Sequence, residues 1–228
     1  MQLAGNNVVV TGGSGALGSI VVEEFQRLGG RISVPVRQGQ SSVKGAAFVS
    51  PCDLGNEEQA RRFFNEAEKH IGPTDVLVCL AGGFVGGSLV EETSEQELEN
   101  QFRMNFLTTH HAVCMTVGGM KQRKCGRIVT IAAMPAVQPA PRREAYAVSK
   151  AAVVTLTQTV SREVHGTGVT CNAIAPSIIK TKANMEGTPA EKTAGWVPPE
   201  EIAALITFLC SREAASINGN VIKIFGGV

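Results

Sequence analysis

The chain has 228 residues, 43% of them hydrophobic, so it can bury one sizeable core, and α/β domains of this length commonly stay undivided. Lys and Arg number 21 against 20 Asp and Glu, a net charge of +1, so no global field gathers a polyanion and a nucleic-acid partner is not expected. The six scattered cysteines (Cys52, Cys79, Cys114, Cys125, Cys171 and Cys210) form no Cys-x-x-Cys pair, and neither a signal-like start nor a membrane-length apolar run is present, which together predict a reduced, cytoplasmic protein with no membrane partner.

The first predicted element is a strand, Asn7 to Thr11, which runs into Thr11-Gly12-Gly13-Ser14-Gly15-Ala16-Leu17-Gly18 and an amphipathic helix, Ala16 to Leu28. Glycines in such a turn let backbone N–H groups approach a pyrophosphate, and the helix N-terminus adds partial positive charge. The spacing predicts a dinucleotide site formed by Gly12, Ser14, Gly15, Leu17 and Gly18. A second strand, Arg31 to Val36, leads to Arg37. A carboxylate there would repel a 2'-phosphate, whereas a guanidinium pairs with one. NADP(H) is therefore expected over NAD(H), the alternative being that Arg37 is a solvated loop residue. The third strand, Ala46 to Ser50, is followed by Asp53, which either accepts from an adenine amino group or caps a helix. The next helix, Asn56 to Ile71, opens with Asn56 and Gln59 spaced like a capping box.

Asp75 to Leu80 reads as the fourth strand and Gly82 to Thr93 as a loop. A long helix, Ser94 to Met120, follows, with Ser94 and Glu97 again spaced as a capping box. Its adjacent His110 and His111 project about 100° apart, poorly placed to share one metal, and no metal is expected. Lys121, Arg123, Lys124 and Arg127 gather at its end, where cations offset the helix's partial negative charge. Arg127 to Ala132 reads as a strand, Met134 to Arg142 as a loop, Arg143 to Val164 as a helix and Val169 to Ala175 as a strand. A loop, Pro176 to Val197, a helix, Pro199 to Ser211, and a seventh strand, Val221 to Phe225, complete the chain. Strands apolar on both faces, alternating with helices, imply a doubly wound Rossmann-type α/β fold: about seven parallel strands, helices on both faces, one domain over residues 1–228. The three loops each follow the carboxyl end of a strand, the edge where such sheets bind ligands.

Tyr146 is the only tyrosine, and Lys150 lies four residues on, so both occupy one helical face. A free phenol has a pKa of about 10, too high for ready proton exchange near neutrality. An ammonium about 4 Å away contributes about 4 kcal/mol at an effective dielectric of about 20, which is enough to bring the phenol into a working range. The pair is expected to be catalytic.

With these motifs in order, the chain resembles the short-chain dehydrogenase/reductase superfamily over essentially its whole length. Thr11 to Gly18 is similar to the family's nucleotide turn, with Ala16 where glycine often stands and Gly15 where many NADP(H)-dependent members carry a second basic residue. Cys79-Leu80-Ala81-Gly82 keeps the Ala-Gly step of the family's Asn-Asn-Ala-Gly, Asp53 matches its adenine-contacting aspartate, and Tyr146 and Lys150 match its Tyr-x-x-x-Lys. The resemblance implies that Ala81 and Gly82 contact the coenzyme, that Asn105 supports a water-linked proton relay, and that Lys150 also binds the nicotinamide ribose. Pro176 and Thr181 resemble the stretch that contacts the carboxamide. Thirteen residues before the tyrosine, most members carry a serine that donates to the substrate oxygen; here it is Ala133, whose methyl group cannot donate.

Quinonoid dihydropteridine reductases also lack that serine. The strings Gly12 to Ser19 and Leu80 to Gly87, together with Trp196-Val197-Pro198, resemble theirs, although members of that subgroup usually carry an acid after the second strand. The expected activity is hydride transfer from NAD(P)H to a carbonyl or quinonoid substrate, in dihydropteridine-reductase fashion. The alternatives are a 3-oxoacyl or general ketone reductase that tolerates Ala133, and, in another class, a non-catalytic NADP(H)-binding regulatory protein. A small-molecule substrate is expected. The resemblance also implies a homodimer or homotetramer associating through the long helix and the helix that carries Tyr146.

Overall fold

The structure is a computed structural model and describes residues 3–228. Its strands are β1 (Asn7–Thr11), β2 (Arg31–Val36), β3 (Phe48–Pro51), β4 (Val76–Cys79), β5 (Gly126–Ile131), β6 (Val169–Pro176) and β7 (Val221–Ile224). All pair in parallel, in the order β3-β2-β1-β4-β5-β6-β7. The winding direction reverses between β1 and β4, so a crevice opens above their carboxyl ends. The helices are α1 (Ala16–Arg27), α2 (Glu57–Ile71), α3 (Glu95–Gln101), α4 (Thr108–Arg123), α5 (Met134–Val137), α6 (Glu144–Glu163), α7 (Lys182–Met185), α8 (Ala190–Thr193) and α9 (Pro199–Leu209).

Alternation along the strands sends successive side chains to opposite faces, and both faces are covered. Val8 and Val10 of β1 share a core with Val21, Val22 and Phe25 of α1 and with Ile202, Ile206 and Leu209 of α9. Val9, between them, packs on the other side with Phe63 of α2, Ala112 and Met120 of α4 and Val160 of α6. Phe25 and Phe63 are fully enclosed, and each such ring contributes about 1.5–3 kcal/mol by leaving water. The expected doubly wound α/β architecture is what these two cores hold together.

Several boundaries differ from expectation. The third strand starts at Phe48 rather than Ala46, because the Ala46 N–H bonds back to the Val43 carbonyl in a turn. It ends at Pro51, which β3 tolerates as an edge strand. The two capping boxes are half formed: Asn56 accepts from the Gln59 N–H at 3.0 Å and Ser94 from the Glu97 N–H at 3.1 Å. The reciprocal side chains go elsewhere, that of Gln59 accepting from the Asp53 N–H and that of Glu97 from the Ser88 hydroxyl. The long helix is not uniform: a π-helical turn, Phe102–Leu107, separates α3 from α4. The loops after β5 and β6 contain the short helices α5, α7 and α8, and Pro176 closes β6 rather than opening a loop. Among the described residues no helix is long and apolar enough to cross a membrane. All six cysteines are unpaired, with Cys79, Cys171 and Cys210 buried.

Candidate active site

The turn between β1 and α1 is held by close backbone approach. Gly12 has φ +69, and a Cβ there would lie 2.8 Å from the Ala81 nitrogen, so the end of β1 can touch the end of β4 only through glycine. A Cβ on Gly18 would collide with the Gly12 carbonyl oxygen, so the first turn of α1 sits directly on the loop that precedes it. Gly15, at the N-cap, supplies no capping side chain. The first-turn N–H groups, which have no intrahelical acceptor, are thus open to an anion. This cradle fits a pyrophosphate.

All three loops named from the sequence reach one cleft of about 520 Å³. Its floor is Gly12, Gly15, Leu17 and Gly18; its walls include Gly82, Phe84, Ala133, Met134, Arg143, Tyr146, Lys150, Pro176, Ile179 and Trp196. The loops are also tied together: the Gly87 N–H donates to the Arg142 carbonyl at 2.9 Å, and the Arg142 guanidinium returns a bond to the Gly87 carbonyl at 2.7 Å.

Tyr146 and Lys150 stand in this cleft one helical turn apart on α6, but the ammonium does not acidify the phenol as expected. Lys150 Nζ donates to the Ile131 carbonyl at 2.9 Å, and with the side chain buried its pKa falls to about 8. Burial pushes the Tyr146 hydroxyl up to about 12, opposed by the positive charge of Arg143. The phenol is therefore neutral near pH 7, a proton donor held ready. Its ring meets Phe84 edge-on, centroids 5.0 Å apart.

Asn105 lies in the π turn and is wholly buried. Its Oδ1 accepts from the Gly83 N–H at 3.0 Å, and its Nδ2 donates to Gln101 Oε1 at 3.0 Å and Ser149 Oγ at 3.2 Å. A Cβ on Gly82 would come within 2.6 Å of Asn105 Oδ1 and 3.3 Å of Lys150 Nζ, which places these three residues together. The Asn105 side chain braces the loop after β4 against α6, with both Nδ2 donors engaged and Oδ1 accepting one bond.

The remaining sequence-predicted residues do not line the cleft. Ala81 donates its N–H to Thr11 Oγ1 at 3.2 Å and joins the ends of β4 and β1. Ser14 is exposed and donates to Gln40 Oε1 at 3.1 Å. Arg37 is exposed just beyond β2. Asp53 accepts from Arg103 at 2.8 Å and from the Gly55 N–H at 2.9 Å, and the guanidinium holds its carboxyl below the usual range. Thr181 accepts from the Asn184 N–H at 3.3 Å as the cap of α7. Sequence reasoning missed Phe84, Met134, Arg143 and Asn184 as cleft residues and left Trp196 unassigned. Their only sequence signal is that all but Arg143 fall within the three loops.

The model of the short chain dehydrogenase family matches residues 6–192. The chain belongs to this family. It is 28% identical over 233 residues to the 3-oxoacyl-[acyl-carrier-protein] reductase MabA of Mycobacterium tuberculosis, covering 97% of this chain and 92% of that protein. FabG of Rickettsia bellii, another 3-oxoacyl-[acyl-carrier-protein] reductase, is 25% identical, covering 100% and 98%. Among solved structures, ElxO with NADP bound superposes with a TM-score of 0.89 at 26% identity, covering 97% and 98%. A tyrosine-to-phenylalanine variant of ElxO with NADPH bound matches equally well. This short-chain dehydrogenase/reductase is accordingly an NAD(P)-dependent oxidoreductase. The relatives favour the oxoacyl or ketone reductase reading over the dihydropteridine one.

Proposed function

We propose that this enzyme reduces the carbonyl group of a small ketone with NADPH, as a 3-oxoacyl or general ketone reductase. The observation that carries the reading is the convergence of the glycine cradle, Tyr146 and Lys150 on one cleft. Gly12, Gly15, Leu17 and Gly18 would hold a nicotinamide coenzyme, which would supply the hydride. Tyr146 donates its proton to the carbonyl oxygen as the π electrons of the C=O bond move there, and the product is a secondary alcohol. Lys150 holds the ribose, and Asn105 supports the water-linked relay that returns a proton to the phenol. Gly82, Pro176 and Thr181 shape the nicotinamide end, Asp53 and Ala81 the adenosine side, and Asn105 positions the loop between them. Arg37 and the NADP-bound neighbours support NADPH over NADH.

Ala133 lies in the cleft wall and is 4% exposed, and Tyr146 is the one hydroxyl side chain that α6 and the β5 loop present to the cleft. That methyl favours a second substrate class, a quinonoid dihydropterin, whose reduction needs a single proton donor. Coenzyme oxidation is to be followed with 3-oxoacyl thioesters, simple ketones and quinonoid dihydropterin, with NADH and NADPH, in the parent and in Tyr146→Phe. Turnover of ketones, faster with NADPH and reduced at least about a hundredfold by Tyr146→Phe, is expected. Undiminished velocity in the variant would refute the proposal, and turnover confined to the pterin would establish the second class instead. We read the chain further as one cytoplasmic folding unit that associates as a homodimer or homotetramer through the outer faces of α4 and α6.

A further inference from the structure

We propose that Arg143 is the substrate-recognising cation of the cleft and that the preferred ketone carries a carboxylate beside its carbonyl, making it an apolar or aromatic oxo acid. The inference deepens the carbonyl-reductase reading and rests on it. Arg143 is the N-cap of α6, three residues before Tyr146. A cation there opposes the positive end of the helix dipole, and its side chain forms no cap, so local helix stability does not account for it. Residues that break a local rule in this way concentrate at functional sites.

Its surroundings supply the function. The guanidinium carbon lies 5.4 Å from the centroid of the Phe84 ring, and that ring abuts Tyr146, so the three side chains form one row along the cleft. Among the described residues Arg143 has no carboxylate partner and no hydrogen-bond acceptor, which leaves its planar fork of donors unspent in a half-buried position. No Asp or Glu lines the cleft, and its other cation, Lys150, is turned to the Ile131 carbonyl. An unpaired, partly desolvated guanidinium is unfavourable until an anion meets it, and the fork matches a carboxylate bidentately. Arg143 and Tyr146 both meet the Phe84 ring, so one small molecule can place its carbonyl on Tyr146 and its carboxylate on Arg143. Met134, Ile178 and Trp196 offer the apolar remainder of the wall.

Trp196 is the only tryptophan and lines this cleft, so its fluorescence reports binding without turnover. Benzoylformate and its methyl ester are to be titrated into the NADP-loaded enzyme, as the parent, Arg143→Gln and Arg143→Lys. The acid is expected to bind the parent about ten- to a hundredfold more tightly than the ester, a preference that Arg143→Gln removes and Arg143→Lys partly keeps. Equal affinity of acid and ester in the parent would overturn the inference by itself, whether or not a variant folds. So would a preference that survives in Arg143→Gln, or an equal loss of kcat on acid and ester in that variant, which would put the guanidinium on the reacting oxygen. Failure of the reductase reading is read separately, as absent coenzyme oxidation with either probe.

Discussion

Lys150 enters the cleft from within the core, where the Ile131 carbonyl is its hydrogen-bond acceptor. Its folded pKa of about 8 lies below its ordinary 10.5, so folding opposes the charged amine. That penalty is present in full below pH 8 and fades as the pH rises to 10.5, where the unfolded chain also loses the proton. Lys150→Met should therefore melt higher than the parent at pH 7, by an amount on the order of 2 kcal/mol in stability, while losing coenzyme oxidation. Thermal melts from pH 7 to 10.5 should show the parent closing this gap. Tyr146 runs the other way. Its pKa is raised from 10.0 to about 12, so the stability it contributes is present below pH 10 and lost as the pH climbs to 12. Tyr146→Phe should abolish that alkaline loss. At position 133, Ala133→Ser restores an oxygen beside the substrate carbonyl, and steady-state ketone turnover should rise about a hundredfold if a donor there is what the cleft lacks.

Among the elements, the turn into α1 and the π turn before α4 set the geometry of the site. Gly18→Ala pushes a methyl against the Gly12 carbonyl and should cost about 1–3 kcal/mol, with NADPH affinity falling alongside; chemical denaturation and coenzyme titration measure the two effects. Asn105→Ala leaves the Gly83 N–H, Gln101 and Ser149 without their shared partner. Unfolding free energy should drop by about 1–3 kcal/mol. The glycine turn was legible because its residues are contiguous and lie between a β-branched run and an amphipathic helix. The π turn was not, since nothing in the spacing of Phe102 to Leu107 distinguishes five-residue from four-residue hydrogen bonding. Its widened backbone register, with N–H groups bonding five residues back, is seen only in three dimensions. The slip of β3 has a similar origin: Ala46 and Ala47 continue the apolar pattern, but the Val43–Ala46 turn takes the first of them out of the strand.

For the molecule as a whole, the sheet carries one core on each face, and β1 contributes to both. Loss of either core leaves the strands half covered, so calorimetric and van't Hoff enthalpies should agree in a single transition, as one folding unit requires; two resolved transitions would contradict that. Seven runs apolar on both faces, alternating with five stretches of period 3.6, were sufficient for the doubly wound architecture, because burial on both faces leaves few other ways to cover such strands. That Tyr146 and Lys150 share one cleft was likewise legible, the two being four residues apart on one helix. Their protonation was not, because it depends on how deeply each is buried and on where the Lys150 amine points, both of which follow from packing against β4 and β5. The row of Phe84, Tyr146 and Arg143, the Asp53–Arg103 pair and the placing of Trp196 in one cleft with the glycine turn join segments far apart in the chain. Local sequence carries information about neighbours along the backbone; proximity across the crevice arises only when the sheet brings the carboxyl ends of separate strands to one edge.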